Sequence, residues 1–256
     1  MSWKASSYSS IGVQHQKLQT PCQDYADYYF VKNEIIIGAV ADGAGSAKMS
    51  HEGAKLAVTK AIEYLTGYVD NYQENYPEHP INFEQDQLLT TIVDDLKHKA
   101  ELEDYLLKDL ACTLIAFIAT PKWVTAMQIG DGFLVIREKE KEDYQLVFEP
   151  NKGEYVNETT FVTSDNAMNQ MQVEVIKGYY PFICAASDGL EKVAIRQKDY
   201  LAFPPFFKPL EEYLITTENP EKENSYLINF LDSERLNART HDDKTLLLCL
   251  HQESHQ

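Results

Sequence analysis

The chain has 256 residues, with 23 Lys and Arg against 40 Asp and Glu, and a formal net charge of −17. So acidic a surface repels polyanions, which excludes a nucleic-acid binder acting through bulk charge. Apolar residues make up 44% and charged residues 25%, with 16 Tyr and 11 Phe, so the chain can bury a core and falls outside the disordered class.

No apolar run approaches the ~20 residues of a membrane-spanning helix; the longest, 114–119 and 246–250, suit buried strands. Residues 1–12 lack the apolar core of a signal peptide, and the four cysteines are unclustered. The expectation is a cytoplasmic protein with no membrane or nucleic-acid partner.

In chain order, β-rich apolar runs predict strands over 25–31 and 34–40, with Lys32-Asn33 as the hairpin turn between them. A helix is expected over 50–67, where Ala54, Ala57, Val58, Ala61, Ile62 and Leu65 share one face and Gly67 stops it. Residues 71–80 read as a polar, Pro-bearing loop. A second helix, about 83–107, carries Leu88, Leu89, Ile92, Leu96 and Leu102 as its stripe. Strands follow over 111–119 and 124–129, joined by a turn at Thr120-Pro121-Lys122, then over 133–137 and 144–148. Residues 151–170 are a polar surface excursion, after which 173–176 and 182–186 are strands. A third helix, about 226–238, precedes a last strand over 245–250. No repeat or low-complexity tract divides the chain, so the pattern predicts one α+β domain of antiparallel sheet covered by helices.

Asp-Gly pairs stand where apolar runs end: Asp42-Gly43, Asp131-Gly132 and Asp188-Gly189, with Asp242-Asp243 just before the last strand. Each alone is an ordinary turn signal, because Asp bonds its own backbone and Gly supplies positive φ. The flanks AVADGAG, QIGDG and CAASDG ask for more, since each Asp directly follows an apolar strand and a small residue. Carboxylates gathered at strand ends repel one another unless protonated or bridged by cations, and Mg²⁺ or Mn²⁺ is the usual bridge. A dinucleotide-binding loop at 43–48 is the competing reading. It fails because Lys48 replaces the third Gly of G-x-G-x-x-G and Asp42 would aim an unpaired carboxylate at a pyrophosphate.

The order Gln23-Asp24, Ala41-Asp42-Gly43-Ala44-Gly45, Ile129-Gly130-Asp131-Gly132, Ala186-Ser187-Asp188-Gly189-Leu190 and Asp242-Asp243-Lys244-Thr245 resembles the metal-dependent protein phosphatase family, type 2C (PPM). The resemblance spans nearly the whole chain, and Pro21-Cys22-Gln23-Asp24 looks like its bacterial branch. It implies a single domain over 1–256 with a central β-sandwich of two antiparallel sheets flanked by helices, in αββα layers. It also implies a binuclear Mn²⁺ or Mg²⁺ centre with a weaker third ion, and hydrolysis of phosphoserine and phosphothreonine by a metal-activated water without a phosphoenzyme. The implied partners are a phosphoprotein substrate and a cognate Ser/Thr kinase or its targets, with the chain expected to be a monomer.

By the same resemblance Asp42 bridges both metals, and Gly43 ligates one through its backbone carbonyl. Asp188 and Asp242 hold the metal on the C-terminal side, Asp24 contacts metal-bound water, and Asp131 belongs to the third site. Two metals ~3.5–4 Å apart would clamp the phosphoryl oxygens and activate water for in-line attack, and carboxylates with a carbonyl suit such ions.

This sequence departs from the family pattern at several positions. Gln23 replaces an acidic residue of many relatives, and Gly132 stands where Ser is common. Ala44 occupies the place where many eukaryotic relatives carry a His proposed as general acid, and Leu18-Gln19-Thr20 stand where some carry an Arg that holds phosphate. His15 and Lys17, before Asp24, and Lys48 and His51, after Asp42, are the candidates for those tasks, with His15 counted as catalytic beside Asp24 and Asp42. Cys112, Cys184 and Cys249 read as core, while Cys22 lacks the C-x₅-R pattern of a thiol phosphatase. The acidic clusters at 138–143 and 211–223 read as solvated faces. A catalytically inactive binding module is one alternative, marked by loss of ligands; a phosphatase dedicated to an anti-sigma-antagonist type of partner is another. Every core metal position carries a competent residue, so an active enzyme is the expectation.

Overall fold

The computed structural model describes residues 2–32, 34–71, 80, 83–148 and 159–252. In order, the chain forms β1 (Ser2–Ser10), α1 (Val13–Leu18), β2 (Tyr25–Val31), β3 (Ile35–Ala41), α2 (Ser50–Asp70), α3 (Gln85–Glu103), β4 (Leu114–Ala119), β5 (Trp123–Ile129), β6 (Phe133–Arg137), β7 (Tyr144–Leu146), α4 (Ala167–Gln170) and β8 (Gln172–Lys177). It continues with β9 (Phe182–Ala186), α5 (Glu191–Ala194), β10 (Ile195–Arg196), β11 (Leu201–Ala202), α6 (Pro204–Thr216), α7 (Ser225–Leu231), α8 (Glu234–Asn237) and β12 (Lys244–Gln252). One five-stranded sheet has the order β1-β12-β9-β6-β7 and a second β2-β3-β4-β5-β8, while β10 and β11 form a separate pair, and every neighbouring pair is antiparallel.

The uninterrupted apolar runs are explained by burial on both faces, since a strand turns alternate residues to opposite sides. In β3, Ile36 and Val40 join Phe117, Leu134, Ile183 and Leu247 between the sheets. Ile35, Ile37, Ala39 and Ala41 face the other way, onto Ala57, Leu65, Leu88 and Ile92 of α2 and α3. In β12, Leu247 and Cys249 point into the sandwich, whereas Leu246, Leu248 and Leu250 meet Phe207, Leu210 and Leu227 of α6 and α7. Three apolar layers therefore separate four tiers, helices, sheet, sheet and helices, the αββα arrangement. Cys112, Cys184 and Cys249 lie fully buried within them.

Several local expectations are corrected. α2 runs past Gly67 to Asp70, because nothing crowds Gly67 and Val69 still reaches the core. α3 is shorter than expected and closes at Glu103, where Asp104 turns left-handed with φ 57°; Leu102 is exposed and off the stripe. Residues Leu107–Leu110 then form a separate 3₁₀ turn. The third expected helix is two helices, α7 and α8, with Ser233 capping the second by accepting from Leu236 N–H. The 151–170 excursion ends in α4, and its first part, like most of the 71–80 loop, lies outside the described residues.

β1 and α6 carry weak sequence signals. β1 is Ser-rich, yet it pairs with β12 along its whole length, from Ser2 opposite Gln252 to Ser10 opposite Lys244. α6 holds three prolines, but Pro204 and Pro205 sit in its first turn, where the missing N–H costs little. Glu211 of α6 also overturns the solvated-face reading of its acidic cluster. It is buried, accepts from Arg137 Nε at 2.9 and 2.8 Å and from Tyr144 Oη at 2.7 Å, and so ties α6 to the β6–β7 edge. No described helix is long and apolar enough to cross a membrane.

Candidate active site

The strand order gathers the acidic motifs at one end of the sandwich. Asp24 immediately precedes β2 and Asp42 immediately follows β3, and these ends are neighbours because Tyr25 pairs with Ala41. In the opposite sheet Asp188 follows β9 and Asp242-Asp243 precede β12, with Leu246 opposite Ala186. Asp131 lies where the chain crosses from β5 in one sheet to β6 in the other, and Phe133 also stands opposite Ala186. Motifs spread over more than two hundred positions thus share one edge.

Backbone contact, not turn conformation, explains Gly43 and Gly189. Neither Gly43 nor Gly189 has positive φ; among the described glycines only Gly130 and Gly178 do. A Cβ on Gly43 would lie 2.7 Å from the Gln23 carbonyl oxygen, and one on Gly189 would lie 1.9 Å from that of Asp243. Each glycine lets the segment bearing one aspartate press against the segment bearing another. Gly43 N–H donates to the Gln23 carbonyl at 3.1 Å, and Gly43 forms an isolated bridge with Cys112, so its peptide is held in place.

The carboxylates are held in different ways. Asp24 is buried, and its Oδ2 accepts from Ser187 Oγ at 2.6 Å; that hydroxyl in turn accepts from Thr245 N–H at 3.0 Å. The Asp42 backbone is clasped by Thr113, whose Oγ1 accepts from Asp42 N–H at 2.9 Å and whose own N–H donates to the Asp42 carbonyl at 2.7 Å. Asp243 is buried, and its two oxygens accept from Gly12 N–H and Gln23 N–H, each at 2.6 Å. Asp242 is exposed, with its carboxylate accepting from Asp243 N–H at 3.0 Å. Asp131 is exposed and accepts from Thr159 Oγ1 at 2.6 Å.

Crowding and burial destabilise the charged forms. Asp24 is pushed up to about 7, chiefly by burial and further by Asp243, against the hydrogen bond from Ser187. Asp188 rises to about 6, again first through burial and then through Asp131, Asp242 and Glu191. Asp42 rises well above the ordinary carboxylate range through burial and the nearby Asp24 and Asp188. One compensating cation sits close by: Lys244 is fully buried, donates to Asn237 Oδ1 at 3.0 Å and lies near Asp232 and Asp243, though burial lowers its pKa.

Two features of these residues bear on a divalent-cation site. Asp24 Oδ1 and Asp188 Oδ1 are buried without a hydrogen-bond partner, a costly state for carboxylate oxygen unless a positive group faces it. Among the described residues no group of three His, Cys, Asp or Glu side chains is placed to hold a metal ion by itself, so water would have to complete the coordination of any ion bound here. A sparse donor set is what Mg²⁺ accepts, since it binds one or two carboxylates and retains several waters. Asp42, Asp188 and Asp242, with the Gly43 carbonyl, supply oxygen donors only, the chemistry that hard cations select.

Of the side chains expected to handle phosphate, His15 is drawn into the site's framework, with Nδ1 2.9 Å from Asp243 Oδ1. His51 instead faces its neighbour Glu52 at 3.8 Å, and Lys17 and Lys48 are exposed. Burial, Asp24 and Asp243 all push the Cys22 thiol far up, which disfavours the thiolate that a nucleophile needs. Sequence reading missed Ser187, Thr113 and Asp243 as supports of the aspartates. Only Ser187 and Asp243 had a signal, as immediate neighbours of Asp188 and Asp242; Thr113 reads as an ordinary strand residue.

Two antiparallel sheets between helical layers, with aspartates gathered where the sheets end together, define the class: a protein phosphatase of the αββα sandwich type. The chain belongs to the protein phosphatase 2C family, whose sequence model matches residues 11–232. It is 32% identical over 256 residues to serine/threonine-protein phosphatase 3 of Escherichia coli (strain K12), covering 98% of this chain and 99% of that relative. Among solved structures it is similar to a bacterial serine phosphatase, with a TM-score of 0.62 at 14% identity over 98% of this chain and 99% of the other. Stp1 from Staphylococcus aureus gives 0.61 at 14% identity, over 99% and 96% of the two chains. PppA from Pseudomonas aeruginosa gives 0.59 at 16%, over 98% of each.

Proposed function

We propose that residues 1–256 form one phosphatase unit that hydrolyses phosphoserine and phosphothreonine in proteins, using two Mn²⁺ or Mg²⁺ ions and a weaker third. Membership of the 2C family together with the buried, partnerless oxygens of Asp24 and Asp188 carries this reading. Asp42 and the Gly43 carbonyl would hold the ions jointly with Asp188 and Asp242, while Asp131 serves the third. Such ions would polarise the phosphoryl oxygens and make water a nucleophile near neutral pH.

The chain's own groups do the rest. Asp24, kept in place by Ser187, is the acceptor that orients the attacking water. His15 supplies the leaving-group proton in place of the histidine that Ala44 replaces. Water adds to phosphorus and gives up a proton to Asp24 as the P–O bond to the seryl or threonyl oxygen breaks; the electron pair stays on that oxygen, which takes a proton from His15 Nε2, leaving the neutral ring. Burial at the sandwich edge favours these electrostatic contacts by lowering the local dielectric. The protein acts in the cytoplasm as a monomer, on phosphoproteins made by a cognate Ser/Thr kinase. A catalytically inactive module is disfavoured because no proposed ligand position is lost.

The deciding experiment measures hydrolysis of p-nitrophenyl phosphate and of a phosphothreonine peptide with Mn²⁺, with Mg²⁺ and with EDTA. Turnover of both substrates only when metal is present is expected. Turnover that survives exhaustive chelation, or none with either ion, overturns the reading.

A further inference from the structure

Asp243 does not belong to the ligand set above, yet it is the most heavily engaged carboxylate at the site. It is 2% exposed, and its oxygens take Gly12 N–H from the start of α1, Gln23 N–H from the segment leading to Asp24, and the close approach of His15 Nδ1. The α1 segment is fastened to the same loop a second time, by Gln14 N–H donating to the His241 carbonyl at 3.2 Å. Two N-terminal segments are thus anchored to the residue next to Asp242 by a single side chain.

The contact with His15 has a chemical consequence. At 2.9 Å, the negative charge of the carboxylate favours an N–H over a bare nitrogen at Nδ1. The contact lies outside hydrogen-bond angles, so this preference is electrostatic and not that of a formed bond. Nε2 is then the nitrogen left to exchange a proton with another group.

We propose that Asp243 is a positioning residue for the reaction: it biases the tautomer and sets the placement of His15 and, through the same two oxygens, anchors the segment that delivers Asp24. This rests on the phosphatase reading, in which His15 protonates the leaving oxygen. Asp243 itself touches neither phosphate nor the leaving group. Its removal should therefore hurt substrates with a basic leaving group far more than those whose leaving group is stable as an anion.

The test has a spectroscopic arm and a kinetic arm, both on the full chain. ¹⁵N imidazole spectra with and without Mg²⁺ should show wild-type His15 carrying its neutral-form proton on Nδ1, and Asp243→Ala should release the ring to a mixture of tautomers. In kinetics with Mn²⁺, Asp243→Ala should lower kcat on a phosphothreonine peptide ~10-fold or more beyond its effect on p-nitrophenyl phosphate. In a His15→Ala background the same substitution should leave that substrate ratio unchanged.

Equal losses on both substrates would reduce Asp243 to a purely structural role and overturn the proposal, as would a ratio that falls again in the His15→Ala background. A wild-type ring protonated on Nε2 would overturn it without any variant, so the proposal stays decidable even if Asp243→Ala does not fold. Absence of wild-type hydrolysis with either metal would refute the phosphatase reading instead, and the ring spectrum would still judge the geometry.

Discussion

Ser187 and Asp24 come from opposite sheets and meet at 2.6 Å, with the Ser187 hydroxyl donating to Asp24 Oδ2 while it accepts from Thr245 N–H. The hydroxyl supplies the donor that a buried carboxylate needs and links the start of β2 to the end of β9 and the start of β12. Ser187→Ala removes it and leaves the Thr245 amide without that acceptor. Metal affinity or kcat should fall about 10–100-fold, the usual cost of losing a group that orients a metal-site residue. Titration of Mn²⁺ against activity measures both; an unchanged curve would mean that Asp24 needs no such support.

Asp42 and Asp188 carry the proposed metal centre, so Asn in either place keeps the shape and removes the charge. Each variant should lose on the order of 10²-fold or more in kcat at saturating Mn²⁺. Steady-state assays on p-nitrophenyl phosphate decide this, and wild-type rates in both variants would remove these residues from the centre.

The metal-free protein should be sensitive to pH in a defined direction. Asp24 and Asp188 ionise at about 7 and about 6 in the fold, against the ordinary value of 3.8. Between those values the folded chain binds more protons than the unfolded chain, so stability falls as pH rises. The favourable contribution is complete below about pH 4 and lost by passage through pH 7. In EDTA, urea denaturation should show Asp42→Asn gaining on wild type as pH goes from 5 to 7.5, because the substitution relieves repulsion within the cluster. A difference that stays flat with pH contradicts the assignment of a strained carboxylate group.

Metal should restore what the carboxylates lose. A cation that binds only the folded chain stabilises it through linkage, by about 2.7 kcal/mol at a hundred times its Kd. Thermal unfolding with rising Mn²⁺ should raise Tm in wild type and much less in Asp188→Asn. Equal shifts in the two proteins would place the cation elsewhere.

Glu211 offers a control remote from the chemistry. Glu211→Ala leaves the Arg137 guanidinium partly buried without its carboxylate and removes the acceptor of Tyr144, and breaking such a pair costs about 3 kcal/mol or more. Chemical denaturation should register that loss, while kcat of the remaining folded protein stays near wild type. A large loss of kcat would show that the β6–β7 edge influences the site.

Much of this protein is legible in one dimension. The apolar runs mark most of the strands of both sheets, and the ordered Asp motifs identify the family before any coordinate is seen, because both are local patterns repeated in a fixed sequence order. β1 escapes such reading, since SWKASSYSS is recruited as a strand only by the partner strand β12 beside it. Glu211 escapes too, because its burial depends on Arg137, 74 positions away.

At the site the division is sharper. The sequence determines which carboxylates are available and that glycine follows three of them. Only the tertiary structure decides that Gly43 and Gly189 are there to admit a neighbouring carbonyl, that Ser187 serves Asp24, and that Asp243 takes His15 and the backbone around it. The physical reason is that chemical type is written at each position, whereas desolvation and hydrogen bonding depend on what the two sheets bring face to face.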